Sequence, residues 1–196
     1  MDDPSSGVPF AFREAVTALG AARPRAEVRV TGLPAPRRLA PFAHAVGATV
    51  GADGEELADG RFVLLHDPAG DETWRGDFRV VTLARAELEP ELATDPLLPE
   101  VAWSWLTEAL HAHGVAWREP NGTVTRAGSM FFGGLAERPP RAELELRASW
   151  TPADPAQAAG HLLAWCGLLA QCAGLPPETS GPAVTALPRR RGPGPA

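Results

Sequence analysis

Apolar residues recur along this chain with two periods, one helical and one alternating. In FAFREAVTALGAA (10–22), Phe12, Val16 and Leu19 fall on one helical face with Arg13 and Glu14 outside, and Pro24 stops the helix. AEVRVTGL (26–33) predicts a short strand with Val28 and Val30 inward, and LPAPRRLAP (33–41) is extended, because prolines hold their predecessors out of the helical region. HAVGATVGAD (44–53) and GRFVLLHD (60–67) are the next strands. The second is a near-continuous apolar run and is expected to be central and covered on both faces. After the turn-rich DPAGDETWRG (67–76) comes DFRVVTLARAELE (77–89). There Phe78, Val80, Thr82, Ala84, Ala86 and Leu88 share one face, while Arg79, Arg85, Glu87 and Glu89 share the other with Val81 and Leu83.

The second half repeats the theme. PEVAWSWLTEALHAH (99–113) predicts a helix, with Pro99 in its first turn, Glu100 near the positive end of the dipole and Gly114 as the left-handed stop. VAWRE (115–119), Asn121-Gly122 and TVTRAGSMFF (123–132) predict a hairpin closed by a type I′ turn. RAELELRASW (141–150) alternates most clearly, with Ala142, Leu144, Leu146, Ala148 and Trp150 inward. Asp154-Pro155-Ala156-Gln157 then opens a last helix that runs to about residue 173. The order is helix, three or four strands, helix, two or three strands, helix. It predicts an α+β fold, a mostly antiparallel sheet with helices packed on one face. Residues 9–177 are expected to form one domain, with 1–8 and the Pro/Gly/Arg tail 178–196 disordered by composition.

Composition then removes whole classes of chemistry. All 18 basic residues are Arg, and both Lys and Tyr are absent. A chain without Lys has no Walker A phosphate loop, no Schiff base to pyridoxal phosphate and no kinase-type lysine on a nucleotide. Without Tyr, a Tyr–Lys acid pair of the short-chain dehydrogenase type is excluded. A net charge of −6 opposes non-specific nucleic-acid binding, which draws on a basic surface. Cys166 and Cys172 lie six apart on one expected helix, roughly 9 Å by rise alone, too far for a disulfide. MDDPSSG is acidic and polar, the reverse of a secretory signal, and HLLAWCGLLAQCAGL (161–175) is too short and interrupted for a membrane span. The expected location is cytoplasmic.

The segments PAPRRLAP (34–41), GRFVLLHDPAGDETWRGDFRVVTLARAELEPELATDPLLPEVAWSWL (60–106), NGTVTR (121–126), GGLAERPP (133–140) and ELRASWTP (145–152) resemble an uncharacterised actinobacterial family, domain of unknown function 3000. The resemblance runs from Phe10 to Pro188 and implies no activity. Genes of that family often lie beside one resembling a ribonuclease D, which implies a tie to RNA metabolism. The order of elements is also similar to the fold of type III secretion chaperones and YbjN-like proteins, and that similarity implies a dimeric binding protein without a catalytic site. An extra strand at 26–33 and another at 115–119 depart from it.

The densest charge lies in RAELEPELATDPLLPE (85–100), with Glu87, Glu89, Glu91, Asp95 and Glu100. A metal or acid–base site would need several of these carboxylates to converge, usually with a histidine. His66, closing a buried strand beside Asp67, is the candidate general base, although adjacent strand residues point to opposite faces. The alternative is a solvated strand face that ends at Pro90, with Glu91 and Asp95 in a loop beyond it that leads into a capped helix. His111 and His113 are two apart on a helix and cannot chelate one ion. The spacing around Ser129 and the glycines at 47, 51 and 54 fits neither a nucleophile elbow nor a dinucleotide fingerprint.

Tryptophan offers a different use of the surface. Trp105, Trp150 and Trp165 sit on apolar faces, whereas Trp74 with Arg75, in a polar loop, and Trp117, at the expected hairpin, are not needed by the core pattern. Exposed Trp beside Arg is typical of interface hot spots. Arg37 and Arg38 add a small basic patch. These residues favour a non-enzymatic, chaperone- or adaptor-like module that engages a protein partner and forms a homodimer, with no cofactor and no metal. The alternative is a carboxylate- or metal-dependent enzyme, or an RNA-processing accessory, using His66, Glu87, Glu89 and Asp95.

Overall fold

A computed structural model describes residues 7–52 and 54–176. Both ends expected to be disordered fall largely outside these residues, but Val8 is inside them and packs against the core. In chain order the elements are α1 (Phe10–Ala21), β1 (Val28–Leu33), β2 (Phe42–Ala52), β3 (Glu55–Asp71), β4 (Gly76–Leu88), α2 (Pro90–Thr94), α3 (Leu98–Ala112), β5 (Trp117–Ser129), β6 (Arg141–Pro152) and α4 (Ala158–Cys172). The six strands form one sheet in the order β1-β2-β3-β4-β6-β5, antiparallel throughout. The architecture is α+β, with α1, α3 and α4 packed on the sheet.

The alternation of the strands decides where the core forms. Even-numbered residues of β2, β3, β4 and β6 stand in register on one face, so that Val46, Phe62, Thr82, Ala148 and Gly122 make one row. This face and the helices share one core, in which Phe62, Leu64, Phe78, Val80, Leu146 and Trp150 are buried. α1 contributes Phe12, Ala15 and Leu19, and α3 contributes Leu98, Ala102, Leu106 and Leu110 at four-residue spacing. α4 is buried nearly all round, because it meets the sheet on one side and the two other helices on its flanks. Its Trp165 is fully buried, and burying ~200 Å² of indole at ~25 cal/mol per Å² contributes about 5 kcal/mol before entropy. Cys166 and Cys172 are both free and buried on the same helix, and burial pushes each thiol up to about 12.

Two expectations need correction. The hairpin at 115–132 is a single strand, β5, interrupted by a bulge between Arg118 and Asn121. Asn121 and Gly122, which carry the turn chemistry, are paired with Ser149 and Ala148 instead. Glycine is needed at 122 for a packing reason, since a Cβ there would collide with the ring of Trp103 and the Arg147 carbonyl. Two strands therefore follow α3, not three. The second correction concerns Glu91 and the residues around it: Pro90–Thr94 is a short helix, not a loop. Arg126 of β5 holds its end by donating to the Ala93 and Asp95 carbonyls.

Candidate functional site

Among the described residues no helix packs on the sheet's second face. Its upper corner is closed by the segment between β1 and β2: Leu33 and Ala40 pack with Trp74 and Val81 over the buried Ala45, Val63 and Leu65. Below that corner the odd-numbered residues of β3, β4, β6 and β5 lie open in three successive rows. The first is Arg61, Leu83, Arg147 and Thr123; the second is Asp59, Arg85, Glu145 and Thr125. The third runs through Glu87, Glu143 and Ala127.

Two adjoining depressions mark this face. One, of about 610 Å³, has Val63, Val81 and Leu83 on its floor and Arg61 and Arg147 among its walls. The other, of about 410 Å³, is acidic and lined by Glu56, Asp59, Glu87, Glu143 and Glu145 around Arg85. Glu145 receives Arg147 Nε at 2.6 Å and Arg85 Nε at 2.9 Å. Those two hydrogen bonds, Arg147's the larger, hold its carboxyl below the usual range, and the bond to Glu145 raises Arg85. Glu87 and Glu143 stand directly opposite each other, a like-charge pair, with Arg141 Nε 3.9 Å from Glu87. Among the described residues the Arg61 side chain makes no hydrogen bond or ion pair.

The acid–base candidates are dispersed. His66 is only 3 % exposed and lies on the helix side of β3, stacked on Phe78 with ring centroids 4.1 Å apart and flanked by Phe12 and Phe42. Its Nδ1–H donates to the Asp77 carbonyl at 2.9 Å, while Asp67 accepts from the Ala69 N–H. Glu87 lies on the other face of the sheet, nine residues along β4 from His66's neighbour Phe78, roughly 30 Å at ~3.3 Å per residue. Glu89 is exposed between β4 and α2, and Asp95 receives the Leu97 N–H at 2.8 Å to open α3. The four groups do not share a site, because strand length and pleat carry them apart. Among the described residues no three His, Cys, Asp or Glu side chains are grouped to hold a metal ion.

The Trp and Arg candidates form a structural knot. Trp74, expected to be exposed, is half-buried against the small cluster on the open face, and its carbonyl accepts from Thr151 Oγ1 at 2.6 Å. Arg75 is exposed and pairs with Glu119 at 3.0 Å, both residues in the left-handed region, and Arg118 donates to the Arg75 carbonyl. Arg79, 5 % exposed, binds the same knot from below. It donates to the Glu119 carbonyl at 2.9 Å, to Thr151 Oγ1 at 3.0 Å and to Ser149 Oγ at 2.7 Å, and burial lowers its pKa. Trp117, also expected to stand apart from the core, packs against it with its ring edge-on to His111 at 6.0 Å. Arg37 and Arg38 are exposed on the segment that covers the upper corner.

Helices expected on one face leave the other open, but the aliphatic centre of that open face was not among the expected site residues. Its signal was present: Val81 and Leu83 interrupt an otherwise charged strand face, which a fully solvated face would not favour. A family model for proteins of unknown function, DUF3000, matches residues 8–183. No curated protein and no solved structure matches the chain.

Proposed function

Since the chain belongs to the DUF3000 family, whose description names no activity, we propose a function from its surface: a cytoplasmic, non-catalytic binding module that holds a protein partner on the uncovered face of its sheet. One observation carries this reading. A sheet face with a partly exposed aliphatic centre, Val81 and Leu83, lies open between Arg61, whose side chain has no ion pair among the described residues, and the facing Glu87 and Glu143. In a two-layer α+β domain the second face is ordinarily polar throughout or covered. The separation of His66, Glu87, Glu89 and Asp95 among the described residues supports the binding reading over an acid–base or metal-dependent one. No helix of the described residues is long and apolar enough to cross a membrane.

The test is a photo-reactive amino acid placed at Leu83, with the exposed Glu14 on α1 as control. Irradiation in cells is expected to give a discrete protein adduct from position 83 and none from position 14. Equal labelling from both positions, or none from 83, removes the proposal.

A further inference from the structure

We infer that the protein held on this face is a second copy of the same chain, docked sheet against sheet about a two-fold axis. The inference rests on the binding reading above and supplies its partner. The order of charges along the strands carries it. The row of Arg61 and Arg147 is cationic, and that of Glu87 and Glu143 is anionic. Between them the row of Arg29, Asp59, Arg85 and Glu145 balances to neutral. Four residues separate the outer rows, roughly 13 Å at ~3.3 Å per residue.

Such a face is its own complement. A two-fold axis lying over the neutral row and across the strands sets the cationic row of each copy over the anionic row of the other, twice in one interface. A partner with one charged patch would satisfy one end and oppose the other. A partner with the inverted order satisfies both, and a second copy has that order by construction. Column by column, Arg147 of β6 then faces Glu143 of the other copy, and Leu83 of β4 packs over the aliphatic stem of Glu87.

Two features of the single chain support this. Glu87 and Glu143 oppose each other directly across β4 and β6, and Arg141 relieves only one of them: its Nε stands 3.9 Å from Glu87, while Glu143 makes no ion pair among the described residues. The Arg61 side chain, on the same face, makes no hydrogen bond or ion pair among the described residues, and in this arrangement it lies one strand column from Glu87 of the other copy. Facing sheets pack about 10 Å apart, a gap that an Arg and a Glu side chain span together.

Sedimentation of the purified full chain over the micromolar range tests it. Wild type is expected to form a dimer that high salt weakens. Arg147→Glu and Glu143→Arg, both at exposed positions, are each expected to weaken it about tenfold or more. The double variant R147E/E143R is expected to regain most of the loss, because each reversed residue meets its reversed mate. A dimer indifferent to both single reversals, or a double variant as weak as the worse single one, overturns the inference. A monomer at every concentration overturns it too, and the Leu83 adduct then separates the two readings. An adduct with a different protein leaves the binding face standing, while no adduct removes both.

Discussion

The indole Nε1–H of Trp150 on β6 donates to Nδ1 of His161 on α4 at 3.1 Å, and both side chains are fully buried. An imidazole that accepts at Nδ1 is neutral and carries its proton on Nε2. Burial lowers its pKa to about 4, against a smaller opposing pull from Asp154. Between pH 4 and 6.5 the unfolded chain takes up a proton that the folded one refuses, so stability rises with pH across that window. The contribution is fully present above 6.5 and lost as pH falls through 4; a displacement from 6.5 to about 4 corresponds to about 3 kcal/mol. Urea unfolding of wild type and of His161→Phe at pH 4.5 and 7.5 checks this. The variant starts less stable, because Trp150 loses its acceptor, but it is expected to lose less stability on acidification. An equal loss in both proteins sinks the assignment.

Arg79 should behave as a structural arginine. Its three donated bonds fix the bulge at Glu119 and tie β4 to β5 and β6. Arg79→Met keeps much of the stem but strands the Glu119 carbonyl, and is expected to cost about 2–3 kcal/mol. Hydrogen exchange should locate the damage at Trp117–Asn121 before the rest of the sheet opens. A uniform loss of protection would contradict the role given to it.

His66 distinguishes a packed ring from a catalytic one. His66→Phe keeps the stack on Phe78, Phe12 and Phe42 and loses one hydrogen bond, for about 1 kcal/mol. His66→Ala opens a cavity among three rings and is expected to cost about 3 kcal/mol or more. Thermal unfolding of the two variants measures the difference, and equal costs would mean that the aromatic packing contributes little.

Local pattern was enough for most of this fold, and its failures have physical causes. The alternation of 141–150 and 77–89 gave the two faces of β6 and β4 correctly, because a pleat admits only two directions. Asn121-Gly122 misled because turn propensity is a local preference, whereas pairing with Ser149 and Ala148 and the close approach of Trp103 are set by distant chain. Trp74 and Arg75 look exposed in a polar loop, yet partners 40 to 80 residues away, Glu119 and Thr151, decide their surroundings. His66 next to Asp67 suggested a catalytic pair, and the pleat turned the two apart. The helix-free face was expected, but its charge rows were not legible for the same reason: they exist only once β4, β6 and β5 are placed side by side.

The packing of α4 gives a prediction in which one substitution changes sign with its background. Gly160 lies in the first turn of α4, and a Cβ added there would sit 2.5 Å from Cγ1 of Val115, the buried residue just beyond α3. Helix propensity alone favours Ala over Gly by ~1 kcal/mol, so Gly160→Ala would stabilise a helix with space beside it. Here the methyl group is forced into an occupied position, and overpacking of this kind costs about 1–3 kcal/mol, so the net effect is expected to be destabilising. Val115→Ala removes the obstructing methyl and by itself costs about 1–2 kcal/mol through the cavity it leaves. In that background Gly160→Ala refills the space and recovers its helical advantage, so it should become neutral or stabilising. The double-mutant cycle is therefore expected to show a coupling of at least ~1 kcal/mol, read from urea midpoints of the four proteins. Additive costs would mean that α4 and the chain after α3 do not approach this closely in solution.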